Sequence, residues 1–531
     1  MTGTMMDVPL TLALVLDRAS RQFANVEVVS RRPDKSIHRT TYGAIADRSR
    51  QLARALVQLG VKKGDRVATL MWNHAAHLEA YFAIPLAGGV LHTLNLRLHP
   101  DEIAWIAEDG GARIVFVDAV LMPLFDKCPQ RDRWAHVIVV GGPAGSGREY
   151  EELLASAQDS TRLPELAESD ACGTCYTSGT TGKPKGVVYT HRSTVLHSLV
   201  TALPDALELG RRDTLLPVVP MFHVNAWGLP YASALVGAKQ VLPGPHLDAA
   251  SLLELMQDER VTIAAGVPTI WLAIREALDA APDRWKLRDD VRMVVGGSAA
   301  PEQLIRDLDR HGLRIIHAWG MTETSPVGLV SRLPPELADA PEDVRYRLRA
   351  KQGVTPPLVD VRVRNDQGDV PHDGRTSGEV LIRGPWITGS YVGGATPERW
   401  TDDGFFRTGD VAHVDAHGFV QLTDRMADLI KSGGEWIASQ ELENALMGHP
   451  AVREAAVVGV PHPKWSERPV AAIVWKPGCT ATDDELREFI APRFPKYWLP
   501  DAFVVLEAIP RTSAGKFKKT ELREQLKDFA W

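Results

Sequence analysis

The chain has 531 residues, of which 44% are hydrophobic and 24% are charged, and its net charge is −7. That length exceeds one ordinary domain, and the acidic balance argues against a nucleic-acid-binding protein, which usually carries a basic surface. The four cysteines are too few for a disulfide framework, no run approaches the ~20 apolar residues of a membrane helix, and the N-terminus lacks the basic segment of a signal peptide. We therefore expect a cytoplasmic protein without an integral membrane segment.

Apolar runs that are typical of buried strands alternate with amphipathic helical patterns up to about residue 355. Strands are predicted at 66–72, 112–119, 136–142, 292–298 and 314–320, and helices at 49–60 and 251–259. This alternation predicts an α/β fold built of layers. Short strands with Gly, Asp and Pro turns follow and indicate a β-rich subdomain at about 355–423.

The last part of the chain predicts a small, mobile α+β domain. One helix is expected to begin with Ser439 as its N-cap, and another carries the capping-box pair Thr482 and Glu485. The domain boundaries follow as an N-terminal body at 1–423, a hinge at 424–428 and a C-terminal cap domain at 429–531.

Two cysteines form a C-x-x-C pattern in the predicted strand "ACGTCY". Alternation along a strand places Cys172 and Cys175 on opposite faces, which suits neither a metal site nor a redox pair. We expect two buried thiols.

The stretch "YTSGTTGKPKG" at 176–186 is the strongest functional signal. Its glycines allow backbone N–H groups to face an anion, its hydroxyls add donors, and Lys183 and Lys185 add positive charge, so it predicts a polyphosphate site. It is not a Walker A loop, because Gly179 and Gly182 are only three residues apart and a proline follows the first lysine. A helix follows, and its predicted apolar face consists of Leu196, Leu199, Val200 and Leu203.

Six further stretches, together with this loop, follow the order and spacing of the motifs of one known superfamily. They are "PMFHVNAWG" (220–228), "GGSAAP" (296–301), "WGMTETSP" (319–326), "RTGD" (407–410), "DRMADLIKSGGEWI" (424–437) and "PRTSAGKFKK" (510–519). Over nearly the whole chain the set resembles the adenylate-forming superfamily of acyl-CoA synthetases, luciferases and peptide-synthetase adenylation domains. The similarity is strongest to bacterial medium-chain fatty acyl-CoA synthetases, with 3-methylmercaptopropionate CoA ligases close by.

The resemblance implies a reaction in two halves. A small-molecule carboxylic acid attacks the α-phosphate of ATP, which gives an acyl-adenylate and pyrophosphate, and the CoA thiol then forms the thioester and releases AMP. It implies ATP, Mg²⁺ and CoA as ligands, a C-terminal domain that rotates between the two halves, and a homodimer, as in many relatives.

Several residues meet the physical demands of this chemistry. A carboxylate approaching a triphosphate needs a cation where charge builds up, and Lys516 in "SAGKF" is our candidate. A carboxylate beside a phosphate loop needs an intervening metal ion, and the resemblance assigns Mg²⁺ to Glu323 and Thr177. Trp319 offers an aromatic face to adenine, and Asp410 in "RTGD" can accept the ribose hydroxyls.

The resemblance assigns the remaining site residues. The phosphate loop comprises Thr177, Ser178, Gly179, Thr180, Thr181, Gly182, Lys183 and Lys185. The nucleotide site also includes Gly297, His317, Ala318, Thr322, Arg425 and Lys431. The acyl site includes Val224, Trp227, Gly297 and Trp436, and the CoA tunnel includes His223, Gly433 and Gly434. His223 takes a gating position rather than the role of a general base, and a packed core histidine is its structural alternative.

One position departs from the family pattern. Two residues after Arg425 the family places Lys or Asp at the hinge, and this chain has Ala427. The substitution bears on how the two domain orientations are balanced. Three other functions stay open at this point: a CoA-independent adenylate-forming ligase, a CoA ligase for a sulfur-containing or aryl acid, and a nucleotide-binding protein without catalysis.

Overall fold

The computed structural model describes residues 3–177, 183–394, 396–432, 435–512, 516–527 and 529–531. The body contains two large sheets packed against helices. In chain order their strands are β1 (Glu27–Arg31), β2 (Ile37–Thr41), β3 (Arg66–Leu70), β4 (Val90–Thr93), β5 (Ile114–Asp118), β6 (His136–Val140), β7 (Arg148–Glu149), β8 (Ala171–Tyr176), β9 (Gly186–Thr190), β10 (Thr214–Pro217), β11 (Lys239–Leu242), β12 (Ile263–Gly266), β13 (Val291–Val295), β14 (Leu313–Gly320) and β15 (Val327–Val330).

The helices of the body lie between these strands in the chain. They are α1 (Leu12–Gln22), α2 (Tyr42–Gln58), α3 (Ala75–Leu86), α4 (Pro100–Asp109), α5 (Met122–Phe125), α6 (Tyr150–Ala155), α7 (His191–Thr201), α8 (Leu229–Val236), α9 (Ala249–Asp258), α10 (Pro268–Ala280), α11 (Glu302–Asp309) and α12 (Glu342–Arg349). All five predicted strands and both predicted helices are confirmed, the latter as α2 and α9. The helix α2 begins earlier than predicted, because Thr41 caps it by accepting the Ala44 N–H at 3.4 Å.

The first sheet runs in the order β15-β14-β13-β12-β10-β11-β1-β2, and in the described chain its six inner strands are parallel. The second runs β7-β6-β5-β3-β4-β8-β9 and is parallel except for β9. Parallel strands covered on both faces need continuous apolar runs, which is why β5 is buried at every position. The carboxyl ends of β12, β13 and β14 meet at one edge, where ligands of open α/β sheets bind.

A third, antiparallel sheet forms the predicted β-rich subdomain. Its order is β17-β16-β18-β19-β20, and its strands are β16 (Asp360–Asn365), β17 (Gly368–Asp369), β18 (Gly378–Arg383), β19 (Phe406–Val414) and β20 (Val420–Arg425).

The C-terminal unit is α+β, as predicted. Its elements are β21 (Ile430–Ser432), β22 (Glu435–Ile437), α13 (Ser439–Met447), β23 (Val452–His462), β24 (Ser466–Trp475), α14 (Asp483–Ile490), β25 (Ala502–Val505) and α15 (Lys519–Gln525). The capping box on α14 is confirmed, with Glu485 N–H donating to Thr482 Oγ1 at 3.2 Å and Thr482 N–H to Glu485 Oε2 at 2.7 Å. The numerical domain boundaries remain predictions.

Two sequence predictions are wrong in detail. Ser439 is the first residue of α13 rather than its N-cap, because Asp424 at the end of β20 accepts both its N–H (2.5 Å) and its hydroxyl (2.6 Å). Leu199 on α7 and Leu203, two residues after the end of this helix, are exposed, at 47% and 39%. The buried face of α7 is largely polar: His191 Nδ1 accepts the Leu12 N–H at 3.2 Å, and His197 Nε2 accepts the Val327 N–H at 3.4 Å. A prediction from hydrophobicity alone therefore misassigned Leu199 and Leu203.

Cys172 and Cys175 are buried free thiols in different apolar clusters, as predicted. Burial raises the pKa of Cys172 to about 12 and also raises that of Cys175, so both stay protonated. None of the helices in the described ranges combines the length and hydropathy that crossing a bilayer requires.

Candidate active site

A cavity of about 650 Å³ lies at the carboxyl edge of the first sheet. Its walls include the ends of β13 and β14, the flanks of the loop after β8, the turn before α8, residues 407–410 of β19, and the C-terminal domain through Lys516. One end is polar and charged, and the other is apolar. A cleft of this size with converging polar groups is typical of a small-molecule site.

Most of the predicted site residues converge here. The cavity lining includes Thr177, Lys183, Lys185, His223, Val224, Trp227, Gly297, Ala318, Trp319, Thr322, Glu323, Asp410, Arg425 and Lys516. Ser178, Gly179, Thr180, Thr181, Gly182, Gly433 and Gly434 lie outside the described residues.

The flanks of the predicted phosphate loop are tied together at the cavity mouth. Thr177 N–H donates to the Lys185 carbonyl, and Lys185 N–H donates to Thr177 Oγ1, both at 3.0 Å. The Lys183 and Lys185 ammonium groups lie 5.4 Å and 5.0 Å from the ring centroids of Trp105 and Tyr391. Cation–π contacts at this range hold both charges over the cavity.

Glu323 supplies the buried carboxylate of the polar end. It lies in a short 3-10 turn, and Tyr391 donates its hydroxyl to Glu323 Oε1 at 2.6 Å. Burial and the charge of Glu323 raise the pKa of Tyr391, so the phenol remains a donor. No group of three or more His, Cys, Asp or Glu able to hold a metal occurs in the described residues. A divalent ion at Glu323 and Thr177 would therefore take its other ligands from phosphate and water, as Mg²⁺ commonly does.

Asp410 is held in place by two neighbours. Trp319 Nε1–H donates to Asp410 Oδ2 at 2.9 Å, and Arg425 Nε lies 3.4 Å from Asp410 Oδ1. Asp410 and Arg425 face each other across β19 and β20, which fixes the pair in register. The Asp410 carboxylate can accept further hydrogen bonds beyond these two, so it can bind the two adjacent hydroxyls of a vicinal diol. Trp319 is itself largely buried and packs closely against Gly328, where a Cβ would come within 2.6 Å of its ring.

Lys516 reaches the cavity from the C-terminal domain. A Cβ built on Gly297 would lie 3.8 Å from Lys516 Cε, so the stem passes over this glycine. Burial and the charge of Arg425 lower the pKa of Lys516 to about 8, while Asp410 and Glu323 oppose the shift. Lys516, Asp410 and Glu323 thus line the same cavity.

A left-handed turn lines the apolar end of the cavity. Four consecutive residues that are not glycine, Val224, Asn225, Ala226 and Trp227, have φ between +37° and +58°, and Gly228 follows at +70°. Each such residue costs about 1–2 kcal/mol, so the surrounding packing must hold the turn. Thr93 contributes by donating to Asn225 Oδ1 at 3.0 Å.

His223 precedes this turn and lines the cavity. Burial, with the charge of Lys516 as a lesser cause, lowers the pKa of His223 to about 3. Its imidazole is thus neutral at physiological pH and available as a polar wall group.

Three predicted residues are placed elsewhere. His317 turns its Nδ1 to the Ala350 carbonyl at 3.0 Å, and burial lowers its pKa to about 4. Lys431 and Trp436 face each other across the β21–β22 hairpin, with the ammonium 5.6 Å from the ring, and Trp436 is 53% exposed. Among the described residues, the cavity lining includes none of these three.

Sequence reasoning missed several lining residues. Tyr391, which orients Glu323, carries no motif and lies in a loop. Leu207, Val294 and Val327 form apolar walls and cannot be told from core residues by pattern alone.

Two protein-family models match this chain. The AMP-binding enzyme family matches residues 16–392, and the AMP-binding enzyme C-terminal domain matches residues 441–516. The chain belongs to the AMP-binding enzyme family. The resemblance drawn from the sequence motifs is thereby confirmed.

Three curated relatives of this AMP-binding enzyme span nearly its full length. A long-chain-fatty-acid–CoA ligase of Thermus thermophilus is 52% identical over 99% of this chain and 97% of its own. A medium-chain-fatty-acid–CoA ligase of Ectopseudomonas oleovorans is 41% identical, covering 99% and 98%. A 3-methylmercaptopropionyl-CoA ligase of Ruegeria lacuscaerulensis is 41% identical, covering 99% of both chains.

The fold is also found among solved structures. An anthranilate CoA ligase in complex with anthranoyl-AMP superposes with a TM-score of 0.86 at 24% identity and covers 99% of both chains. At that identity the likeness shows the fold alone.

Proposed function

We propose that this enzyme is an ATP-dependent acyl-CoA synthetase that activates unbranched aliphatic carboxylic acids through an acyl-adenylate. A single cavity joins Lys516, Glu323 and Asp410 at its polar end to an apolar end lined by Val224 and Trp227. This arrangement fits a nucleotide and an alkyl carboxylate meeting in the middle.

In the first half-reaction, Lys516 neutralises the charge that develops at the α-phosphate while the acid attacks. The Asp410 carboxylate accepts the ribose hydroxyls, and its hydrogen bond from Trp319 keeps it oriented. Glu323 and Thr177 would hold Mg²⁺, which when bound screens the phosphates from the attacking carboxylate. Tyr391 keeps the Glu323 carboxylate aimed at that position.

In the second half-reaction, the thiol of CoA attacks the acyl carbonyl and AMP leaves. Lys516 must then withdraw, because the thiol needs a path to the carbonyl. A rotation of the C-terminal domain about the hinge at 424–428 would remove Lys516 and bring Lys431, Trp436 and the segment with Gly433 and Gly434 toward the site. This accounts for the exposure of Trp436 in the present orientation, in which Lys516 is inside the cavity.

The sequence favours medium-chain acids, and the relatives include enzymes named for long-chain, medium-chain and sulfur-containing acids. Among the residues that the structure describes, Leu207, Val224, Trp227, Val294 and Val327 give this end of the cavity an apolar lining, which fits an uncharged alkyl tail. A cytoplasmic location and a homodimer remain predictions.

The experiment is an end-point assay with ATP, Mg²⁺ and single straight-chain acids, with and without CoA. Acyl-CoA and AMP should form in equal amounts and only when CoA is present. Pyrophosphate release that CoA does not accelerate would instead indicate a CoA-independent adenylate-forming ligase. Turnover of 3-methylmercaptopropionate or an aryl acid in preference to every straight-chain acid would move the assignment to those substrates.

A further inference from the structure

The apolar end of the catalytic cavity is closed by a thin wall. Leu207 lines the catalytic cavity, whereas Leu209, two residues on, lines a separate cavity of about 1140 Å³ on the other side. Both leucines are 2% exposed and belong to one apolar cluster, together with Val294 and Ile316. The segment 207–209 therefore lies between the two cavities and contributes side chains to both.

The main chain of this wall is fixed by arginines. Arg292 donates through Nη1 to the carbonyls of Leu207 (3.0 Å) and Glu208 (2.6 Å), and through Nη2 to Asp213. Arg332 Nε donates to the Ala206 carbonyl at 2.8 Å. A wall held by this many hydrogen bonds does not move aside easily for a longer ligand.

The wall lies at the end of the cavity remote from the reacting groups. Arg292 is the second residue of β13, and Gly297, over which Lys516 passes, follows the end of the same strand. Three strand intervals at ~3.3 Å each separate the Cα atoms of Arg292 and Val295 by about 10 Å, and Gly297 lies two residues further along the chain. Arg292, which holds the Leu207 carbonyl, lies near the start of β13, whereas Lys516 lies beyond the carboxyl end of that strand.

The second cavity, on the other side of the segment 207–209, has a charged lining. The second cavity is lined by guanidinium and carboxylate groups, among them Arg212, Arg314 and Arg345. Such a surface disfavours a hydrocarbon tail, because an alkyl chain cannot replace the water around charged groups. A tail that reached Leu207 would gain nothing by passing it.

We propose that Leu207 closes the acyl site and sets the longest acyl chain that the enzyme accepts, with Arg292 as the positioning residue that holds the wall. The inference rests on the proposed function and deepens it. Its ligand is the terminal methyl end of an unbranched alkyl chain.

The test compares adenylation of straight-chain acids from about four to sixteen carbons in the wild type and in Leu207→Ala, Leu207→Phe and Leu209→Ala. Leu207→Ala removes an isopropyl group. It should raise kcat/KM for acids about two carbons longer than the wild-type limit by roughly tenfold, measured as a ratio to kcat/KM for the acid that the wild type prefers, since one methylene in an apolar pocket changes kcat/KM by about that much or more. Leu207→Phe should shift the optimum toward shorter acids. Leu209→Ala is the matched control, because it removes the same group from the same cluster on the far side of the wall, and its profile should match the wild type.

An unchanged profile in both Leu207 variants, or an equal shift in Leu209→Ala, overturns the inference while leaving the proposed function intact. If Leu207→Ala does not fold, Leu207→Val replaces it in the test. Its chain-length optimum should then also move toward longer acids, by a smaller amount. A wild type that releases no pyrophosphate with any straight-chain acid overturns the proposed function and this inference together.

Discussion

The lowered pKa of Lys516 predicts a specific loss of adenylation at alkaline pH. The ammonium is charged below its pKa, which burial and Arg425 lower to about 8 in the free enzyme. Stabilisation of the α-phosphate is therefore present below pH 8 and lost as the pH rises through it. With a single ionisation at about 8, kcat/KM for pyrophosphate release should fall about tenfold between pH 7 and pH 9. The pH above which kcat falls should be higher than the corresponding pH for kcat/KM, because bound triphosphate raises the pKa of the Lys516 ammonium.

The matched variant is Lys516→Arg. A guanidinium stays charged throughout this range, so its profile should be lower but flat across pH 7 to 10. The assay measures pyrophosphate release without CoA, so that ionisation of the thiol does not contribute. A wild-type kcat/KM that is flat to pH 10, or an alkaline break that persists in Lys516→Arg, would refute the assignment of this pKa to the catalytic cation.

Three further predictions concern other elements. Ala427→Lys adds a cation to the hinge that lines the cavity, and should change thioester formation about fivefold or more beyond any change in adenylation; equal effects in separate half-reaction assays would contradict it. Tyr391→Phe removes the hydrogen bond that orients the Glu323 carboxylate, so the Mg²⁺ concentration for half-maximal pyrophosphate release should rise about 10–100-fold; an unchanged Mg²⁺ titration would argue against metal binding at Glu323. Thr482→Ala breaks the capping box and should cost ~0.5–2 kcal/mol in urea denaturation without altering kcat; no loss of stability would mean that the box contributes little.

Regular elements were predictable from the sequence because their signals are local. Buried parallel strands such as β13 show as apolar runs, and the capping box of α14 is visible as Thr482 and Glu485. The motif residues Lys516 and Asp410 could likewise be placed in one site by resemblance, and the structure brings both into the same cavity.

What the sequence could not supply depends on tertiary context. Nothing in "VNAW" indicates a left-handed turn at 224–227, because only the packing around it makes that backbone tolerable. The acceptor for α13 comes from Asp424, a residue 15 positions away, so local capping rules assigned Ser439 wrongly. Tyr391 and Leu207 look like ordinary core residues until the cavity shows what they face.

The most direct test of the proposed function quantifies AMP, pyrophosphate and acyl-CoA from the wild-type enzyme with ATP, Mg²⁺ and a straight-chain acid series, with and without CoA. We predict a single chain-length optimum at which AMP and acyl-CoA appear in equal amounts and only with CoA. Release of ADP in place of AMP, or pyrophosphate release that CoA leaves unchanged, would contradict it.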